Sequence, residues 1–270
     1  MHLTVFATFI VLVLGGLGGW RALDHLADRK EMKRLTALQT QSPDTFNPAM
    51  IADLPEPARR FFKFAIAEGT PLLPVAELWM TGQFSLGDKE APRYMKMQAH
   101  QVLAMPHGSI WKVRMQSGHL RFSGSDSAAW TRFWMGGLLP VARQGGTADH
   151  ARSAFGRYVA EAVFWAPAAV LPGPNIEWEQ VDPNRARLTV RHNDMTQDVE
   201  ITVAANGQPT QVVFPRWSNA NPDQTYQVQP FGGTLSAFQE FQGYRLPTHV
   251  EAGNFFGTED YFPFYIADVT

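Results

Sequence analysis

After Pro74 the sequence alternates apolar and polar residues with a period of two, almost to its end. Leu78, Met80, Gly82 and Phe84 alternate with Glu77, Trp79, Thr81 and Gln83. A period of two puts every second side chain on the same face of a strand, so each such segment reads as a half-buried β-strand. Further strands are expected at 94–103, 110–115, 118–122 and 128–134. A second group is expected at 176–181, 187–192, 199–205, 211–214, 225–229, 237–242, 248–252 and 261–267. Gly87-Asp88, Pro106-His107-Gly108, Ser117-Gly118 and Asn206-Gly207 supply turns. Connections this short join antiparallel neighbours, because a parallel crossover needs a dozen or more residues. One helix-length segment, 149–170, interrupts the series, with Ala154, Tyr158, Glu161, Ala162 and Trp165 at helical spacing before Pro167. A shorter helix is expected at 53–68, where Asp53 and Glu56 are spaced as in a capping box and Ala58, Phe61, Phe62, Ala65 and Ile66 form one face. The pattern predicts an α+β fold: a long antiparallel sheet with helices on one face. Beyond about ten strands such a sheet curls, and helices at its mouth leave an apolar groove.

The N-terminus has a different character. Residues 1–20 carry no charged side chain, and 3–17 is rich in Leu, Val, Ile and Phe. About 20 apolar residues span a bilayer, and neither a leading Lys or Arg nor a small-residue cleavage site is present. Residues 1–20 therefore read as an uncleaved transmembrane anchor, meeting the bilayer through 3–20. Gly15 and Gly19 form a GxxxG pair through which two such helices could pack as a homodimer. Arg21, Arg29, Lys30, Lys33 and Arg34 follow, a bias that favours a cytoplasmic C-terminal side. Residues 21–49 read as a helical stalk and a polar linker, and 50–270 as one domain.

Composition narrows the chemistry. Charged residues make up 18% of the chain and the net charge is −2, which lacks the basic face of a nucleic-acid binder. The absence of cysteine excludes disulfides, thiolate nucleophiles, iron–sulfur clusters and Cys-type zinc sites. The common hydrolase, zinc-protease, phosphate-loop and dinucleotide signatures are missing, so no cofactor and no metal are expected. His100, His107 and His119 read as separate surface or edge residues, and His192-Asn193-Asp194 as turn chemistry.

The most unusual segment runs from Arg157 to Pro167. Arg157 and Glu161 stand four residues apart on an otherwise apolar helix. Charges are rarely buried unpaired, so they read either as a structural bridge or as the polar end of a groove. In the second reading they grip a headgroup or act as acid and base. The aromatics, 12% of the chain, read as ordinary core or as the wall of such a groove. Trp111, Trp134, Tyr158 and Trp165 are the expected walls, with Arg157 and Glu161 at the polar end.

The motif order resembles an uncharacterised bacterial family of membrane-anchored proteins. The matching pieces include Leu54-Pro55, Gly82, Trp111, Gly124-Ser125-Asp126 and Gly136-Gly137-Leu138-Leu139-Pro140. The specific part is Arg157-Tyr158, Glu161, Trp165, Pro167 and Leu171-Pro172, followed later by Gly243-Tyr244-Arg245-Leu246-Pro247. That resemblance implies a bacterial inner-membrane location and brings no assigned activity. More remotely the plan is similar to the LolA/LolB lipoprotein carriers, whose half-open barrels hold acyl chains under helices. This implies a LolA-like half-barrel and a periplasmic site of action, against the inward charge bias, so both sides of the membrane stay open. Taken together, the expected function is a membrane-anchored, non-catalytic binding protein for a lipid or other apolar ligand. The alternatives are a membrane-associated enzyme on an apolar small molecule with Glu161 as acid/base, and an assembly protein that pairs through a sheet edge.

Overall fold

In the computed structural model, residues 2–270 are described, except for the side chains at positions 2–4, 7 and 10. Three α-helices occur among the described residues: α1 (His2–Thr36), α2 (Glu56–Ala65) and α3 (Ala148–Trp165). The first meander of strands is β1 (Ala76–Ser85), β2 (Tyr94–Ala104), β3 (Gly108–Ser117), β4 (Leu120–Ser127), β5 (Trp130–Met135) and β6 (Leu139–Gly145). After α3 come β7 (Ile176–Asp182), β8 (Arg185–His192), β9 (Met195–Val203), β10 (Pro209–Ser218), β11 (Gln227–Phe241), β12 (Tyr244–Asn254) and β13 (Phe262–Val269).

All thirteen strands form one antiparallel sheet, in the order β6-β5-β4-β3-β2-β1-β13-β12-β11-β10-β9-β8-β7. The chain walks outward from β1 to one edge, crosses through α3 to the other edge, and walks back until β13 pairs with β1. Gly82 sits at that seam opposite Ala267. Its φ is +144°, and a Cβ there would lie 2.0 Å from the Ile266 carbonyl oxygen, so glycine is required. The sheet is strongly curled: α3 packs against β6 and against β10. Nine strand spacings separate those two in the sheet order, about 43 Å if it were flat, whereas an 18-residue helix is only about 27 Å long.

Inside the curl, Val159, Ala162 and Val163 of α3 and Phe61, Phe62 and Ala65 of α2 join the inward side chains of the strands in one core. Pro57 occupies the first turn of α2, and Pro55 stands at its N-cap without a side-chain cap. The helix therefore starts three residues after Asp53, the start expected from a capping box.

Helix α1 departs from the expected arrangement in three respects. It packs on the opposite, outer face of the sheet, so the helices do not share one face. There Leu35 meets Val102, Ala104 and Ile110 in a second apolar cluster. It is also no free stalk: Asp24 and Asp28 are buried against β4–β6, with Arg132 reaching both, at 3.0 and 2.8 Å. Finally, no helix among the described residues is long and apolar enough to cross a membrane. Four glycines at 15, 16, 18 and 19 dilute the apolar run and charges begin at Arg21, while Leu3, Thr4, Ala7 and Ile10 of the expected anchor lie outside the described side chains. A Cβ at any of those glycines would meet nothing within 4 Å, so packing within this chain does not require them.

Two strand assignments change as well. β6 was hidden by Pro140 and Gly145-Gly146; as an edge strand it pairs only with β5 and tolerates proline. β11 is one long strand where two short ones were expected, because Gly232-Gly233 reads as a break. Cβ atoms there would lie 2.6 Å from the Val212 oxygen and 2.2 Å from the Glu251 oxygen, so these glycines admit close neighbours within the sheet.

Candidate functional site

The curl around α3 encloses a cavity of about 340 Å³. Its wall mixes polar side chains with aromatic rings, among them Phe84, Trp111, Phe133, Phe164, Trp165, Phe214, Phe231, Phe264 and Tyr265. These side chains come from β1, β3, β5, α3, β10, β11 and β13, which only a curled sheet brings together. Period-two alternation explains their aim. On β4 and β5, Asp126, Thr131 and Phe133 face the cavity, while Ser125 and Arg132 face α1 on the other side.

A charged cluster occupies one part of this cavity. Arg157 projects from α3, and its guanidinium donates to Asp126 of β4. Its Nε lies 3.4 Å from Glu161 Oε1, an ion contact without hydrogen-bond geometry. Gln101 of β2 donates to the other Glu161 oxygen, and Thr131 donates to Asp126. Burial pushes the Glu161 carboxyl above its ordinary range, with Arg157 and Gln101 opposing that shift. For Arg157 the cost of burial is outweighed by Asp126 and Glu161, which hold it firmly charged. Arg216 of β10 faces the same cavity, its guanidinium 4.8 Å from the centre of the Phe231 ring. Burial, with Arg157 next, lowers its pKa to about 10.

Of the six expected site residues, Trp111, Arg157, Glu161 and Trp165 line this cavity. Trp134 does not: it faces the outer side of the sheet, where its indole donates to Asp24 of α1 at 2.9 Å. Tyr158 turns towards Phe155, 5.5 Å between ring centres, and its hydroxyl donates to the Pro106 carbonyl. Burial raises its pKa to about 12, which suits a structural phenol. Both residues were placed by helical or strand spacing alone, which gives a face but not what lies opposite. Asp126, Gln101 and Arg216 were missed. The alternation Val212, Phe214, Arg216, Ser218 already put Arg216 on the inward face, and Asp126 follows Gly124-Ser125 in a segment read only as a motif.

Glu161 thus lies in the cavity with both of its carboxyl oxygens engaged, one by Gln101 and one by the contact with Arg157. Among the described residues no group of three His, Asp or Glu side chains is placed to hold a metal. His100 pairs with Glu77 at 2.7 Å and stacks on Trp79, a surface arrangement.

Fold and site together define an α+β protein whose curled antiparallel sheet wraps a helix and encloses an aromatic cavity with buried charges. The chain belongs to a family of unknown function, DUF6544, which matches residues 44–266. No curated protein matches it. Among solved structures, it is similar to a LolA superfamily protein from Nitrosomonas europaea, at 12% identity and a TM-score of 0.35, covering 79% of this chain and 90% of that one. It is similar too to a candidate outer membrane lipoprotein-sorting protein domain from Vibrio parahaemolyticus, at 10% identity and a TM-score of 0.34, covering 72% and 80%. The matched family segment starts after α1, although α1 contributes buried charges to the folded unit.

Proposed function

We propose that this protein binds a lipid or other apolar ligand in the cavity under α3 and performs no reaction on it. The observation that carries this reading is the cavity itself: about 340 Å³, within the range of small-molecule sites, walled by aromatic rings and carrying charged groups. In this reading Trp111 and Trp165 are wall residues, and Arg157 and Glu161 belong to the polar end. The exposed apolar side chains of Val5, Phe6, Phe9, Val11 and Leu12 support contact between the first half of α1 and a bilayer. Such tethering would raise the effective concentration of a membrane-derived ligand at the cavity.

Native mass spectrometry of the full chain, after incubation with a total lipid extract, tests the reading. A one-to-one lipid adduct that Trp165→Ala weakens is the expected result. A chain that stays free of lipid, with no response to an apolar fluorescent probe, would overturn it. Co-sedimentation with vesicles tests the α1 contact separately, since truncation of residues 1–19 should abolish pelleting.

A further inference from the structure

Arg216 is the cavity's odd charge. Its neighbours Asp126 and Arg157 already satisfy each other, and Asp126 also accepts from Thr131. Glu161 is held by Gln101 and by the 3.4 Å contact with Arg157. Among the described residues no carboxylate lies within ion-pair distance of the Arg216 guanidinium, and no acceptor takes a hydrogen bond from it. Its Nε is buried without a partner, and its one directed contact is with the face of Phe231, 4.8 Å to the ring centre. Buried guanidinium groups are normally paired, because their N–H donors lose water and gain nothing in return. On β10 the alternation with Val212 and Phe214 puts this side chain on the inward face, where it lines the cavity.

We infer that Arg216 is the anion-recognition group of the cavity, and that its ligand is a single-chain amphiphile with a monoanionic carboxylate head. This rests on the proposed ligand-binding reading and names the ligand class. The planar guanidinium fork matches a carboxylate with two parallel hydrogen bonds. Of the two arginines that line the cavity, Arg216 is the one without an ion-pair partner, a role a monoanion can fill, whereas Asp126 and Glu161 nearby would repel the second charge of a phosphate monoester. The chain of the ligand would run along Phe214, Phe231, Phe264 and Trp165, which border the same space. The cavity is at the small end of ligand sites, which suits a medium-length chain.

The test titrates the full-length protein with dodecanoate, methyl dodecanoate and dodecyl phosphate, read by tryptophan fluorescence and by calorimetry. Dodecanoate should bind at least tenfold more tightly than its methyl ester and than the phosphate. Arg216→Met should abolish the preference, so that dodecanoate binds no more tightly than its methyl ester. Arg216→Lys, which keeps the charge but not the fork, should retain part of the preference and guards against a folding defect in the first variant. Equal binding of acid and ester, or an Arg216→Met variant that keeps the preference, overturns the role of Arg216 and leaves the cavity reading intact. Preferential binding of the phosphate overturns the monoanionic head. Failure of all three probes to bind overturns this inference, and if the lipid extract also yields no adduct, the ligand-binding reading falls with it.

Discussion

The carboxylate of Asp24, on α1, accepts a hydrogen bond from the indole Nε1 of Trp134, on β5, at 2.9 Å. Both side chains are buried, and the same carboxylate takes Arg143 at 2.7 and 3.0 Å and Arg132 at 3.0 Å. Arg143 also covers the ring of Trp20, 4.4 Å from its centre. One acid thus fastens a helix to the outside of a sheet by meeting two cations and an indole at once.

Replacing Asp24 by Ala should therefore leave Arg132 and Arg143 poorly compensated. Removing one partner of a buried ion pair typically costs about 3–5 kcal/mol, and the partial exposure of Arg143 puts the expectation at the lower end. Equilibrium urea denaturation of the full chain would measure it. A loss below about 1 kcal/mol would mean that α1 docks by apolar contact alone.

The pH dependence of that contribution has a definite sign. Burial alone would raise the Asp24 pKa, but Arg143, Trp134 and Arg132 together hold it below its ordinary value of 3.8. A lowered folded pKa gives stability that is complete above the unfolded value and lost as pH falls through the folded one. The stability gap between the natural chain and Asp24→Asn should stay constant down to about pH 5 and shrink at lower pH. A gap that grows in acid would contradict the assignment.

Glu161 should behave in the opposite sense. Its folded pKa is raised, mainly by burial, so the folded state holds a proton that the unfolded chain has already released above 4.5. Stability falls as pH rises through that window and levels off above the folded pKa. Glu161→Gln removes the dependence, so the variant should gain on the natural chain between acid and neutral pH. Thermal unfolding across that range would show the two curves converging in acid.

The two tryptophans offer a paired comparison. Trp134 Nε1 donates to Asp24, whereas Trp111 Nε1 is buried with no partner. Trp111→Phe removes an unsatisfied donor, which offsets part of the lost packing, by about 1–3 kcal/mol for such a group. Trp134→Phe gives no such relief and deprives Asp24 of a donor. Trp134→Phe should be the more destabilising of the two in denaturant titrations.

Gly82→Ala tests the seam between β1 and β13. A methyl group 2.0 Å from the Ile266 oxygen has no room, and the backbone at φ +144° resists any side chain. The loss should exceed about 4 kcal/mol, in the range reserved for disrupted backbone. Soluble expression and the circular dichroism spectrum would report it. A well-folded variant would show that the seam can shift its register.

Much of the fold was legible because it depends on local alternation. Period two marks strands, and short turns make them antiparallel, so β1 to β5 and β7 to β10 follow from residues close in sequence. β6 and the continuity of β11 were not legible, since Pro140 and Gly232-Gly233 are local breakers whose acceptability depends on a neighbouring strand. For the site, helical spacing brought out Arg157, Glu161 and Trp165, which share one face of α3. Spacing could not show that Tyr158 and Trp134 stand away from that cavity, since their surroundings come from Pro106 and Asp24, distant in the chain.

The sequence by itself determined an antiparallel sheet with two internal helices and an apolar, cysteine-free interior, because those properties reside in short-range periodicity and composition. Only the tertiary structure decided how far the sheet curls, and so that Trp111, Asp126, Arg157 and Arg216 share one cavity. It alone turned Asp24 and Asp28, which as a sequence look like ordinary surface acids beside a basic run, into the buried clasp of α1. Charge pairing at a distance of a hundred residues leaves no local signature, since each acid meets its cation only after the strands have taken their order.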